Sequence, residues 1–171
     1  ILEKYEDRIV ITSLYLAQGD EQLAERAMEA MMAAYQPATP TVLNSGKKAR
    51  GELVSCFKLT MDDSMNSIAE NIGYCLELSR LGGGVGVNIT DLRPLGDPIK
   101  GIHNRASGVM PVAKLLENSF SYSNQLGQRN GSGVAYLNIF HGDIENFISS
   151  KKPNADEKIR LATLSTGIIV P

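Results

Sequence analysis

Apolar residues recur at helical spacing through the first 35 positions, and from about residue 50 an alternating pattern replaces them. Within residues 20–35, Leu23, Ala27, Met31 and Ala34 mark one helical face, and Asp20, after Gly19, is placed to cap that helix. Pro37 and Pro40 end the pattern and predict extended backbone from Gln36 to Thr41. Asn44-Ser45-Gly46 reads as a turn, followed by a solvated connection carrying Lys47, Lys48 and Arg50. Gly51 to Leu59 then reads as a strand: Leu53, Ser55, Phe57 and Leu59 share one face, and Val54 and Cys56 share the other.

The remainder alternates between helix and strand. A helix capped by Ser64 or Asp63 is predicted to run to about Leu81, with Ile68, Ile72, Cys75, Leu76 and Leu78 as its apolar stripe. Gly82-Gly83-Gly84 ends it, and Val85 to Ile89 forms a short strand. A loop punctuated by Pro and Gly spans Asp91 to about Ala106; a helix begins at Ser107 and turns Val109, Val112, Leu115, Leu116 and Phe120 inward. A second glycine-rich loop, Gly127 to Gly133, leads into a strand from Val134 to Phe140. A short helix from Asp143 to Ser150 and a last strand from Ala162 to Val170 follow. This order predicts an α/β protein with crossover connections.

Composition narrows the function classes. A formal charge of −2 over 171 residues offers no general attraction for a nucleic-acid polymer or an anionic membrane surface, although a single nucleotide needs only a few local donors. No apolar run approaches the roughly 20 residues of a membrane span, and no secretory signal pattern is visible. Two cysteines do not make a disulfide scaffold, so a reducing, cytoplasmic setting is expected. The chain opens at Ile1 inside a helical pattern and stops at Pro171 after an apolar run; the expectation is an excerpt of a longer polypeptide.

The glycine loops and cysteines are the candidate chemistry. No P-loop pattern is present, and Leu81 to Gly86 follows a helix and enters a strand, the reverse of a dinucleotide fingerprint. Gly82 to Gly84 reads either as a helix stop with close backbone packing or as a surface against which a ligand lies flat. Gln125 to Gly131 is polar and carries Arg129 between glycines; it reads either as an exposed connection or as a phosphate or base contact. Cys75 sits in an apolar stripe and reads as core. Cys56 reads either as structural or as a reactive thiol at the edge of a pocket. His103 and His141 lack ligand partners at metal spacing, and loop polarity or capping is their expected use.

Taken together, several segments resemble the large, catalytic subunits of ribonucleotide reductases. Thr39 to Gly46 followed by Leu53-Val54-Ser55-Cys56-Phe57 is similar to the entry of that family's active-site barrel. Gly82 to Asn88, Leu92 to Ile99, Ser107 to Pro111 and Gly131 to His141 follow in the family's order. Asn154 to Arg160 most resembles the class Ib, aerobic bacterial branch. The resemblance implies a helical lead-in (residues 1–36) and then the first, incomplete part of a ten-stranded α/β barrel (residues 37–171).

The resemblance also implies roles. Cys56 matches the redox cysteine that donates hydrogen during loss of the 2′-hydroxyl and then joins a disulfide. Thr41 and Ser55 match positions near the substrate diphosphate, and Gly83 and Gly84 fall where backbone lies along the substrate. Asp63, Ser64, Arg93 and Ile99 match an allosteric site for a deoxynucleoside triphosphate at a homodimer interface, with residues 93–106 as the first effector loop. Ser123, Gln125 and Arg129 match the second loop, which relays effector identity to the substrate. No cofactor is expected on this segment. The implied partners are a ribonucleoside diphosphate, deoxynucleotide or ATP effectors, a small subunit supplying a radical from a manganese or iron pair, and a thioredoxin- or glutaredoxin-like dithiol reductant. Two rival readings are a noncatalytic nucleotide-binding or dimerisation fragment of a split reductase, and a glycyl-radical enzyme sharing the barrel.

Overall fold

A computed structural model of the chain describes residues 3–47, 52–123 and 132–171. They form two compact units, Ile1–Ser55 and Cys56–Pro171.

The first unit is helical: α1 (Tyr5–Ala17), α2 (Glu21–Met32) and α3 (Thr39–Asn44). Gln18 and Gly19 take positive φ and end α1, and the Asp20 carboxylate caps α2 by accepting the amide of Leu23 at 2.9 Å. The face of α2 is as expected at Met31 and rotated elsewhere. Ala24 and Met31 are buried, Leu23 is exposed, and Ala34 lies beyond the helix. The small Ala24 side chain permits close approach between α1 and α2, which a leucine at that spot would prevent.

Extended backbone at 36–41 was also expected, and α3 instead starts at Thr39. Pro40 occupies its first turn, where a missing N–H costs nothing and the fixed φ suits the helix. Arg8 is buried against this end of the unit. Its guanidinium donates to the Ser45 carbonyl and to Glu3.

The second unit is a four-stranded, wholly parallel sheet in the order β1 (Cys56–Thr60), β2 (Gly84–Asn88), β3 (Ser132–Asn138), β4 (Ser165–Ile169). The crossovers contain α4 (Met65–Arg80), α5 (Met110–Tyr122) and α6 (Ile144–Ser149). Phe57, Leu59, Val85, Val87, Ala135 and Leu137 turn to one face and build the core with Cys75, Val109, Val112, Leu116, Phe120 and Phe147 from the crossover segments. Helical crossovers are what parallel neighbours demand; here they cover one face, so the strands alternate rather than read as apolar runs. The α/β class and helical lead-in are as expected.

Several boundaries move: β2 runs Gly84–Asn88, β3 Ser132–Asn138 and β4 Ser165–Ile169 instead of 85–89, 134–140 and 162–170. β1 was expected from Gly51 but begins at Cys56, because its ladder partner begins only at Gly84. β2 cannot start earlier, since the Gly83 amide is committed to the Leu78 carbonyl at the end of α4, at 2.8 Å. α5 begins at Met110 rather than Ser107, because Gly108 has φ +74, outside the helical region. Leu115, expected inward, is exposed; Ala113 takes the buried position beside Val112 and Leu116.

Candidate functional site

In a pleated strand the side chains facing the core alternate with those on the other face. The register therefore places Cys56 and Lys58 of β1, Gly84, Gly86 and Asn88 of β2, Ser132, Val134 and Tyr136 of β3, and Ser165 and Ile169 of β4 together on the face without helices. These residues line a groove of about 740 Å³.

Cys56 stands at the start of β1, directly paired with Gly84. Its side chain is exposed, as alternation with Phe57 requires. Cys75 is the opposite case: fully buried in α4, with its thiol pushed up to about 12 by burial. It is core, as expected, and not joined to Cys56.

The two glycines after α4 serve different ends. A Cβ at Gly83 would lie 2.5 Å from the Phe57 ring and 2.9 Å from the Leu78 carbonyl, so Gly83 is required by packing. Gly84 lines the groove beside Cys56. The close-packing reading of the glycine run is thus realised at Gly83, and Gly84 lies at the groove.

The groove floor holds a ring that sequence reasoning did not single out. Tyr136 lies between Gly86 and Gly167, where added Cβ atoms would stand 3.0 and 2.5 Å from its ring. Gly84 and Gly86 at alternate positions of β2, with Gly167 in β4, were the available signal. Asn88 is also tied in: its Oδ1 accepts from the Thr90 hydroxyl at 2.7 Å, and that hydroxyl oxygen accepts the Asn138 amide at 3.1 Å.

Thr41 and Ser55 belong to the first unit. The Thr41 hydroxyl donates to the Leu53 carbonyl at 2.9 Å, so its proton is already engaged and its lone pairs are what it offers.

Asp63, Ser64, Arg93 and Ile99 do come together. The Arg93 guanidinium donates through Nε to Asp63 Oδ2 at 2.5 Å, and through a terminal nitrogen to the Pro98 carbonyl, one residue before Ile99, at 3.0 Å. Ser64 caps α4, its hydroxyl oxygen accepting the Ser67 amide at 3.1 Å. A cation thus sits beside the N-terminus of a 16-residue helix. The Asp63 carboxylate balances the Arg93 charge, and the first-turn amides of a helix favour an anion in general. Ile99 pairs with Ile102 in a single antiparallel bridge within the loop.

Ser123 is buried, its hydroxyl donating to the Ser119 carbonyl at 2.9 Å. Gln125 and Arg129 lie outside the described residues. Among the described residues no group of three His, Cys, Asp or Glu could hold a metal ion, and no helix is long and apolar enough to cross a membrane. His141 serves as a turn cap, as expected, its Nδ1 accepting the Asp143 amide at 3.0 Å.

Comparison with known proteins gives a consistent result. Residues 1–50 match the family model described as the all-alpha domain of ribonucleotide reductase, and residues 54–171 the one described as its barrel domain. The chain is 52% identical over 172 residues to a protein named ribonucleoside-diphosphate reductase subunit alpha from Bacillus subtilis, covering all of this chain and 25% of that protein. The like-named protein of Mycoplasma pneumoniae is 49% identical over 171 residues, covering 99% of this chain and 24% of its own length. That of Chlamydia pneumoniae is 36% identical over 137 residues, covering 80% and 13%. The chain therefore spans about a quarter or less of the length of these relatives.

Proposed function

Because the chain belongs to the ribonucleotide reductase large-subunit family, matching its all-alpha and barrel domains in order, we propose that its chemistry is the reduction of ribonucleoside diphosphates to 2′-deoxyribonucleoside diphosphates. The observation that carries the proposal is Cys56: an exposed thiol at the first position of β1, beside the side-chain-free backbone of Gly84, in a groove on the open face of the sheet. A ligand can approach that sulfur along glycine backbone with little steric obstruction.

In the proposed reaction the C2′–OH bond breaks and a C2′–H bond forms, with the hydroxyl leaving as water. Two thiols, Cys56 and a second one that the family places after residue 171, supply two electrons and two hydrogens as they join in a disulfide. Thr41 and Ser55 are assigned to the diphosphate, the Thr41 hydroxyl turning its proton from the Leu53 carbonyl to a phosphate oxygen when substrate binds, and the backbone of Gly83 and Gly84 to the edge of the nucleoside. The disulfide is returned to thiols by a thioredoxin- or glutaredoxin-like dithiol. The radical is assigned to a separate small subunit holding a manganese or iron pair.

The Asp63–Arg93 cluster at the start of α4 is assigned to a deoxynucleoside triphosphate or ATP effector, bound where two copies of the subunit meet. Its permanent charge and helix terminus suit a phosphate chain. Gln125 and Arg129 are assigned to the relay between effector and substrate.

The test is Cys56→Ser in the full-length subunit, assayed with its radical-generating partner. Loss of multiple-turnover, dithiol-dependent reduction is expected. Turnover at the wild-type rate would remove Cys56 from the reaction. Persistent binding of nucleotide without any reduction by the wild-type subunit would instead favour the noncatalytic reading.

A further inference from the structure

His141, Gly142 and Asp143 follow β3 after a short turn, and each holds one residue at the start of the loop that follows β2. The His141 Nδ1 accepts the Asp143 amide, so the ring proton sits on Nε2, which donates to the Leu92 carbonyl at 2.7 Å. At Gly142, an added Cβ would stand 2.8 Å from the Cβ of Pro94, so the absent side chain lets the proline lie on the backbone. The Asp143 carboxylate, only 4% exposed with the rest of its residue, accepts the Leu95 amide at 3.0 Å and the Val109 amide at 2.9 Å. Gly108 completes the arrangement, because a Cβ there would collide with Asp143 Oδ2.

Residues 92, 94 and 95 are thus gripped, and the residue between them is Arg93. Its side chain leaves the group to reach Asp63 and Pro98. With the backbone held on both sides, the starting point of the guanidinium is set by the turn after β3 rather than by the loop alone. An exposed ion pair alone would not achieve this, since such pairs contribute little against side-chain entropy. The same strand carries Ser132, Val134 and Tyr136 into the groove.

We infer that His141, Gly142 and Asp143 are positioning residues for Arg93, holding its guanidinium at the N-terminus of α4 so that an anionic nucleotide effector finds it in place. The inference rests on the assignment of the Asp63–Arg93 cluster to effector binding. Preorganisation of this kind raises affinity by removing an ordering cost from the binding step.

The experiment measures binding of labelled dTTP and labelled dATP to the full-length subunit by equilibrium dialysis, in the wild type and in His141→Ala, His141→Gln, Gly142→Ala and Arg93→Ala. His141→Ala and Gly142→Ala are each expected to raise the Kd of the bound probe about five- to tenfold, the scale of one lost hydrogen bond or a comparable displacement. His141→Gln, whose side-chain amide can replace the Nε2 donor to Leu92, is expected to recover most of the loss. Nucleoside diphosphate binding without effector is measured on the same samples.

Wild-type probe affinity in both His141→Ala and Gly142→Ala would overturn the inference while leaving the effector site standing, provided Arg93→Ala binds weakly. Wild-type affinity in Arg93→Ala would remove the effector-site assignment itself, and the inference with it. Equal loss of effector and diphosphate binding in His141→Ala and Gly142→Ala, unrecovered by His141→Gln, would mean a general loosening of the unit and would also overturn it.

Discussion

Tyr136 occupies the space that a side chain at Gly167 would need: a Cβ there would lie 2.5 Å from two carbons of its ring. Gly86, on β2 at the other side of β3, is tight against the same ring at 3.0 Å. Gly167→Ala is therefore expected to force the ring upward into the groove or the strands apart, costing about 1–3 kcal/mol. Gly86→Ala should cost less, since its contact needs only a few tenths of an ångström of relief. Thermal unfolding of the two variants gives the order, and a Gly167→Ala/Tyr136→Ala double variant should recover part of the loss. Equal stability of all three and the wild type would mean that the ring is not confined as described.

The two cysteines should respond very differently to alkylation. Cys75 is fully buried and its thiol is raised to about 12, so at pH 8 only about one molecule in ten thousand carries the thiolate that reacts. Cys56 is exposed on the open face. Brief iodoacetamide treatment of the native protein, followed by peptide mass mapping, should label Cys56 and leave Cys75 intact until denaturant is added. Labelling of Cys75 at a similar rate would contradict its burial.

Glu117 predicts a particular acid dependence. Burial raises its pKa, but the amides of Thr163 and Leu164 and the ammonium of Lys114 outweigh that, and the net shift is downward. A carboxylate with a depressed pKa stabilises the fold above its unfolded value, and that contribution is lost as pH falls through the folded value. The wild type should therefore lose stability on the acid side of the ordinary glutamate range, and Glu117→Gln should lack that component. At neutral pH Glu117→Ala should cost about 1–3 kcal/mol, because it strands the buried Leu164 amide. Glu117→Gln, which keeps an oxygen acceptor, should cost less. Urea unfolding at a series of pH values measures both effects.

Arg129 carries the proposed relay. An effector that favours one arrangement of that relay by about 1–3 kcal/mol would change substrate choice several-fold or more. Turnover of each ribonucleotide with each effector, compared between the wild type and Arg129→Ala, tests this. Loss of effector-dependent preference is expected; the same preferences in both proteins would exclude Arg129 from the relay.

Local rules were legible in the chain wherever a residue acts on its neighbours. Asp20 and Ser64 cap the helices they precede, His141 caps its turn, and Cys75 falls in the buried stripe of α4. Phe57 and Cys56 face opposite ways because a pleated strand leaves no other choice. What failed were boundaries and faces that depend on a distant partner. β1 starts where Gly84 becomes available to pair with Cys56, and the outward turn of Leu115 reflects where the sheet lies beside α5.

The amino-acid order by itself settles the succession of helices and strands after α3, the caps of α2 and α4 and the alternation that presents Cys56, since each is decided within a turn or two of backbone. Only the folded chain brings Asp143 to Leu95 and Glu117 to Thr163, pairs 48 and 46 residues apart, and seats Tyr136 between glycines of two other strands. Those contacts arise from the parallel register, and a register is a property of strands side by side that no single stretch of sequence contains.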